Sequence, residues 1–317
     1  MAMNAMHRDA ERLLDLIRAA GRPPFESLPP AEARIAYAAR RDLLQPAPDE
    51  VAEVADLAIP GPGGPLPLRL YRGAGTPDGP LPCLVYLHGG GWVLGGLDSH
   101  DGVCRRLANL GACRVVAVDY RLAPEHPFPA AVEDSAAALA WVAGQAAGLG
   151  IDPARIAVGG DSAGGTLAAV LALMGRDGEA PAPVFQLLLY PAADLAMDTP
   201  SYARVTDGVP LTAAAMRYFV DHYAPDAAQR LDPRASPLRA VSLAGAAPAF
   251  VLTVGHDPLA DEGQAYARRL EAEGVRVAAL HLSDQLHGLV TMGRVIGMAD
   301  AVLQLAAAAL RDAWRAA

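Results

Sequence analysis

The stretch Gly160-Asp161-Ser162-Ala163-Gly164 fits the G-x-S-x-G pattern, in which a serine stands on a sharp strand-to-helix turn. Such an elbow strains the serine backbone and exposes its hydroxyl for nucleophilic attack. The flanking glycines leave room for neighbouring chain. Earlier, His88-Gly89-Gly90-Gly91-Trp92 offers three successive glycines. Their N–H groups are unobstructed by side chains, as an oxyanion hole requires. Either pattern alone has a plain reading: a tight turn with an incidental serine, or a flexible loop. Together, in this order and each directly after a strand-like run, they predict acyl transfer through a serine nucleophile.

A serine hydroxyl needs a base, and the base needs a carboxylate to orient it. Four of the eight histidines, His222, His256, His281 and His287, follow Ser162. His222 falls in a helical stretch and His281 inside the last strand-like run. His256 reads as a loop residue beside the expected acid, too early in the chain to be the base. His287 comes just past the last strand and precedes Gly288, so it can project over the sheet edge. Of the acids, Asp257 follows the run Phe250–Val254 directly and is held by Pro258. Asp194 follows the preceding strand and is the alternative. Asp261 and Glu262 read as the start of a helix, where acidic side chains suit the N-terminal dipole. Ser162, Asp257 and His287 are therefore the expected triad.

The elements that must position these groups are legible as alternation. Strand-like runs cover Val54–Ile59, Leu66–Tyr71, Leu81–Leu87, Arg114–Val118, Arg155–Val158, Val184–Tyr190, Phe250–Val254 and Arg276–Leu282. Gly61-Pro62-Gly63-Gly64 between the first two predicts a hairpin. Ala-rich helical stretches such as Ala130–Ala147 and Ala163–Met174 separate later runs. That predicts an α/β fold with a mostly parallel eight-stranded sheet covered on both faces.

Residues 1–45 read as two amphipathic helices, the second running roughly to Leu44. The stretch between Tyr190 and Phe250 is too long for a plain connection and contains a helical pattern at Thr212–Tyr223. The expected organisation is N-terminal helices at 1–45, catalytic domain at 46–196 and 231–317, and an inserted cap segment at 197–230. Met216, Phe219 and Val220 share one helical face. That face either packs the cap down or roofs the pocket. Trp92, Met216, Phe219 and Leu289 are the expected pocket lining.

Composition removes other classes. The 26 basic and 35 acidic residues give a net charge of −9, which opposes binding to nucleic acid or anionic membranes. Every basic residue is arginine, so a Schiff-base lysine, a Ser-x-x-Lys nucleophile and a P-loop lysine are excluded. Cys83, Cys104 and Cys113 lack metal-ligand spacing and read as small core residues in a reducing compartment. The start, Met1 to Leu14, carries charges and no apolar core, which predicts no signal peptide and a cytoplasmic protein. No metal or organic cofactor is expected. The expected partner is a small-molecule ester, and a homodimer is left open.

The motifs resemble the bacterial hormone-sensitive-lipase-like carboxylesterases, also called family IV. The resemblance rests on His88-Gly-Gly-Gly-Trp92, Asp119-Tyr-Arg-Leu-Ala-Pro-Glu125, Gly160-Asp-Ser-Ala-Gly-Gly165, Asp257-Pro-Leu259 and His287-Gly288. It implies the α/β-hydrolase fold, a helical cap and hydrolysis of short or medium acyl esters. It also implies Ser162 as nucleophile, Asp257 as acid and His287 as base. The oxyanion hole would be built by the N–H groups of Gly90, Gly91 and Ala163, with His88 bracing the loop at Gly89. Two departures, Thr166 for asparagine and Leu289 for phenylalanine, leave the triad intact and bear on substrate preference. Amide or lactone hydrolysis by the same triad stays open. A non-catalytic, ligand-binding member of the fold is disfavoured by the presence of His287.

Overall fold

The computed structural model describes residues 5–317. Residues 1–4, part of the segment read as helical, lie outside the described residues. The helices are α1 (Arg8–Ala20), α2 (Pro30–Ala38), α3 (Arg41–Leu44), α4 (Asp101–Gly111), α5 (Ala130–Gly144), α6 (Ala163–Arg176), α7 (Pro200–Arg204), α8 (Ala213–Tyr223), α9 (Ala260–Ala272) and α10 (Met298–Ala316). The strands are β1 (Glu53–Gly61), β2 (Gly64–Arg72), β3 (Leu81–Leu87), β4 (Arg114–Val118), β5 (Ile151–Asp161), β6 (Gln186–Leu189), β7 (Ala249–His256) and β8 (Val277–Leu286). They form one sheet in the order β1-β2-β4-β3-β5-β6-β7-β8. β2 is antiparallel to both β1 and β4, and every other pair is parallel. The expected α/β architecture and its eight strands are all present.

The central strands read as continuous apolar runs because helices cover both their faces. Their alternation sorts side chains between two cores. Cys83, Val85 and Leu87 of β3, with Val116 and Val118 of β4, face one core; it is filled by Leu139 of α5, Leu167 and Leu171 of α6, Phe219 and Val220 of α8, and Tyr266 of α9. Leu84 and Tyr86, with Val115 and Ala117, face the other, closed by Leu13 of α1, Leu107 of α4 and Leu303 and Leu310 of α10. Leu13, Leu84, Val85, Leu87 and Leu310 are completely excluded from solvent, so Leu→Ala at any of these Leu positions should cost about 2–5 kcal/mol.

Three of the boundaries that differ from the sequence expectation bear on the site. β5 runs on to Asp161, so Ser162 follows it without a gap. β7 includes His256, which is therefore a strand residue and not a loop residue, and Asp257 is the first residue beyond it. The second N-terminal helix does not run unbroken to Leu44; it turns at Ala39 and Arg40 between α2 and α3. α8 lies against the N-terminal segment, where the Tyr218 hydroxyl donates to the Leu28 carbonyl at 3.1 Å. No helix among the described residues is long and apolar enough to cross a membrane.

Candidate active site

Ser162 stands between β5 and α6 with φ 55° and ψ −122°, outside the regions an ordinary residue prefers. Packing over-determines that strain. A Cβ at Gly160 or Gly164 would collide with the Leu87 carbonyl of neighbouring β3, so only glycine lets the elbow seat so close. The Ser162 N–H donates to the Leu189 carbonyl at 2.8 Å, tying the turn to β6.

Three sequence-distant side chains converge there. His287 Nε2 lies 2.9 Å from Ser162 Oγ, and His287 Nδ1 lies 2.7 Å from Asp257 Oδ2. All three residues are buried. With Nδ1–H donated to the carboxylate, Nε2 is left as the acceptor facing the serine hydroxyl. Asp257 Oδ1 accepts the Leu259 N–H at 2.9 Å, which fixes the carboxylate plane. The alternative acid Asp194 is engaged elsewhere, accepting from Arg239 Nε at 2.7 Å and from the Ala196 N–H at 3.0 Å. Asp261 pairs with Arg204, and Glu262 accepts from the N–H groups of Ala193 and Asp194. His281 meets Thr253 Oγ1 at 2.9 Å on the far edge of the sheet. His222 Nδ1 is bonded to the Tyr218 carbonyl within α8.

The glycine loop faces the same cavity. Gly90, Gly91, Ser162 and His287 all line it. Among the described residues the N–H groups of Gly90 and Gly91 donate to no acceptor. The Ala163 N–H is at the start of α6, where helical donors are unsatisfied by the helix itself. Gly90 and Gly91 have φ of 125° and 61°, and Trp92 follows with φ 60°. Stacking compensates the strain at Trp92: its ring lies 4.4 Å from Tyr223 of α8 at an interplanar angle of 6°.

His88 does less of the bracing than the resemblance implied. It stacks on Tyr120 at 4.3 Å, and its Nδ1 bonds only to the adjacent Gly89 carbonyl at 2.8 Å. Burial, then the neighbouring His100, pushes its pKa down to about 4, so it is a neutral ring at physiological pH. The main brace is a residue that sequence reasoning passed over although it lies inside the elbow motif. Asp161 Oδ1 accepts from the Gly89 N–H at 3.0 Å and from the Tyr86 hydroxyl at 2.8 Å, and His100 Nε2 stands 3.1 Å away. Burial alone would raise the Asp161 pKa. The charge and hydrogen bond of His100, with the Tyr86 hydroxyl, outweigh it and hold the group below its usual value. A single carboxylate thus links the Ser162 turn to the glycine loop.

Trp92, Met216 and Phe219 line the cavity. Leu289 does not. It lies in a 3₁₀ turn after Gly288, is wholly buried and points into the core closed by α10; Gly288, Thr291 and Met292 line the cavity in its place. Phe25, Tyr37 and Arg40 from the N-terminal segment also line it, and their sequence carried no pattern beyond amphipathic helix. Among the described residues no cluster of His, Cys, Asp or Glu is arranged to hold a metal ion.

A family model described as the alpha/beta hydrolase fold matches residues 84–291, more than half of the chain. The chain belongs to the α/β-hydrolase family. The hormone-sensitive-lipase-like resemblance of its motifs falls within that family. This α/β hydrolase is 45% identical over 258 residues to the carboxylic ester hydrolase LipN of Mycobacterium tuberculosis, covering 80% of this chain and 68% of that one. It is 40% identical over 307 residues to the ethyl acetate hydrolase of Pseudomonas putida, covering 95% and 96%. Among solved structures it superposes with a TM-score of 0.94 on an alpha/beta hydrolase enzyme from the metagenome of Lake Arreo, Spain, at 42% identity, covering 97% and 98%.

Proposed function

We propose that this carboxylic ester hydrolase cleaves short- to medium-chain esters through an acyl-enzyme formed on Ser162. The observation that carries this reading is the continuous relay Ser162 Oγ–His287 Nε2–Asp257 at 2.9 and 2.7 Å, opening into a cavity shared with Gly90 and Gly91. His287 takes the hydroxyl proton as Ser162 attacks the ester carbonyl. Asp257 holds the imidazole in the required tautomer and stabilises the imidazolium. Negative charge developing on the carbonyl oxygen is met by the N–H groups of Gly90, Gly91 and Ala163. His287 then returns the proton to the departing alkoxide, and water repeats the sequence on the acyl-enzyme to release the acid.

Cavity size supports the shorter acyl groups. The free volume of about 90 Å³ is well under the roughly 300–1,000 Å³ common for ligand pockets. Phe25 of the N-terminal segment and Met216 and Phe219 of α8 wall the cavity together. We read the N-terminal segment and the 197–230 insert as one cap that limits acyl length and excludes water from the reacting carbonyl. Amides and lactones share the oxyanion chemistry. A panel of p-nitrophenyl esters of increasing acyl length, beside a lactone and an anilide, tests the reading. Turnover should peak at short chains and be lowest on the anilide; a rate that rises steadily to the longest chains would refute the size limit.

A further inference from the structure

We propose that Arg40 makes the catalytic cavity a binding site for esters carrying a second, anionic group such as a distal carboxylate. This rests on the ester-hydrolase reading above. Arg40 sits at the turn between α2 and α3, partly buried, and lines the same cavity as Ser162 and His287. Its guanidinium carbon lies over the Phe25 ring, 3.9 Å from the centroid, a cation–π contact that helps hold it in place and uses none of its N–H groups.

Arg40 is the arginine of the cavity lining, and it lacks a carboxylate partner among the described residues. Most arginines of this chain are ion-paired, including the neighbouring Arg34 with Glu125 and Arg41 with Asp42. Burial lowers the Arg40 pKa, Tyr37 works against that shift, and the charge of Arg22 adds to it. Arg22 and Arg40 both line an outer cleft, which shares Phe25, Arg40 and Pro210 with the catalytic cavity. Glu26 and Asp207 also stand along that cleft, and neither forms an ion pair with Arg40.

Two guanidiniums that repel one another, one of them desolvated beside an apolar cavity, are satisfied by an incoming anion. Tyr37 adds a second donor. Its hydroxyl group is kept protonated by burial and by the negative charge of Asp161, and its side chain lines the cavity beside Arg40. A bidentate guanidinium and a phenol are a donor set for a carboxylate. The net charge of −9 opposes the approach of anions. That long-range field is screened beyond about 8 Å at physiological salt, whereas contact inside the cavity is not. The local charge therefore decides.

The test compares monoethyl glutarate and monoethyl adipate with their neutral carboxamide counterparts. The measured quantity is the ratio of kcat/KM for anionic over neutral ester, in wild type, Arg40→Gln and Arg40→Lys. Wild type should favour the anionic ester, mainly through KM. Arg40→Gln should lower the ratio about tenfold, and Arg40→Lys should restore part of it. Free glutarate should inhibit wild type competitively and more strongly than neutral glutaramide, and equal inhibition by the two would overturn the proposal even if a variant folds poorly. Wild type discriminating against both anionic esters, or a ratio unmoved by Arg40→Gln, would overturn the proposal. Absence of turnover on the neutral esters would instead count against the ester-hydrolase reading itself.

Discussion

The Phe219 ring occupies the space that a side chain at Gly91 would need: a Cβ built there collides with ring carbons of Phe219. A residue of α8 is therefore packed onto the backbone whose N–H is expected to hold the oxyanion. Gly91→Ala should suffer twice, from its φ of 61° and from this collision. We expect kcat to fall by 10²-fold or more, on the order of the loss of one oxyanion donor. Phe219→Ala alone should broaden acyl preference towards longer chains. Adding Phe219→Ala to Gly91→Ala should recover part of the lost kcat, because the collision goes while the backbone strain stays. Kinetics of the two single variants and the double variant measure the coupling. Strict additivity would show that Phe219 does not hold the loop.

Ser162→Ala should abolish ester hydrolysis, with kcat lowered on the order of 10⁶-fold. The fold should persist, since one buried oxygen is lost and its strained backbone is held by contacts the substitution leaves intact. Far-UV circular dichroism and thermal melting check the fold. A serine-directed organophosphonate should label wild type at Ser162 and leave the variant unlabelled. Residual activity above a few per cent would refute the assignment.

Asp257→Asn and Asp194→Asn separate orienting from merely structural carboxylates. Asp257 contacts His287 at 2.7 Å, and an amide there cannot stabilise the imidazolium. We expect kcat to drop on the order of 10⁴-fold. Asp194 pairs with Arg239 at 2.7 Å, so its substitution should cost about 1–3 kcal/mol of stability and leave kcat within a few-fold. Reversal of the two outcomes would place the acid one strand earlier.

Glu262 gives stability a pH dependence of unusual sign. It is fully buried in α9, and burial pushes its pKa well above the ordinary carboxylate value. The folded chain therefore holds a proton that the unfolded chain releases once the pH passes the usual glutamate range. Its contribution is complete below that range and is lost progressively as pH rises towards the folded pKa. Glu262→Gln keeps an acceptor for the N–H groups of Ala193 and Asp194 and removes the titration. Denaturant unfolding from about pH 5 to about pH 8 should show a flatter stability profile in the variant. Parallel profiles for the two proteins would contradict a raised pKa.

Much of the architecture was determined locally. Strand period, alanine-rich helices and glycine punctuation specify eight strands in sequence order, because backbone hydrogen bonding and side-chain alternation are properties of short segments. The elbow and the glycine loop were legible for the same reason. Each is a continuous run whose residue types are dictated by its own backbone geometry.

What lay in space and not along the chain was decided by tertiary structure. Asp161 reads as a filler position in G-D-S-A-G, and only the alignment of β3 with β5 brings it to Gly89, Tyr86 and His100. Leu289 stands only two residues after His287, yet the 3₁₀ turn after Gly288 rotates it into the core and turns Thr291 and Met292 to the cavity. Arg40 looked like one more residue of an amphipathic helix. The break between α2 and α3, and the Phe25 ring beneath it, make it a cavity wall. A short window of sequence specifies backbone conformation, but which side chains meet depends on how distant elements pack. That packing is the sum of many weak apolar contacts that no local pattern records.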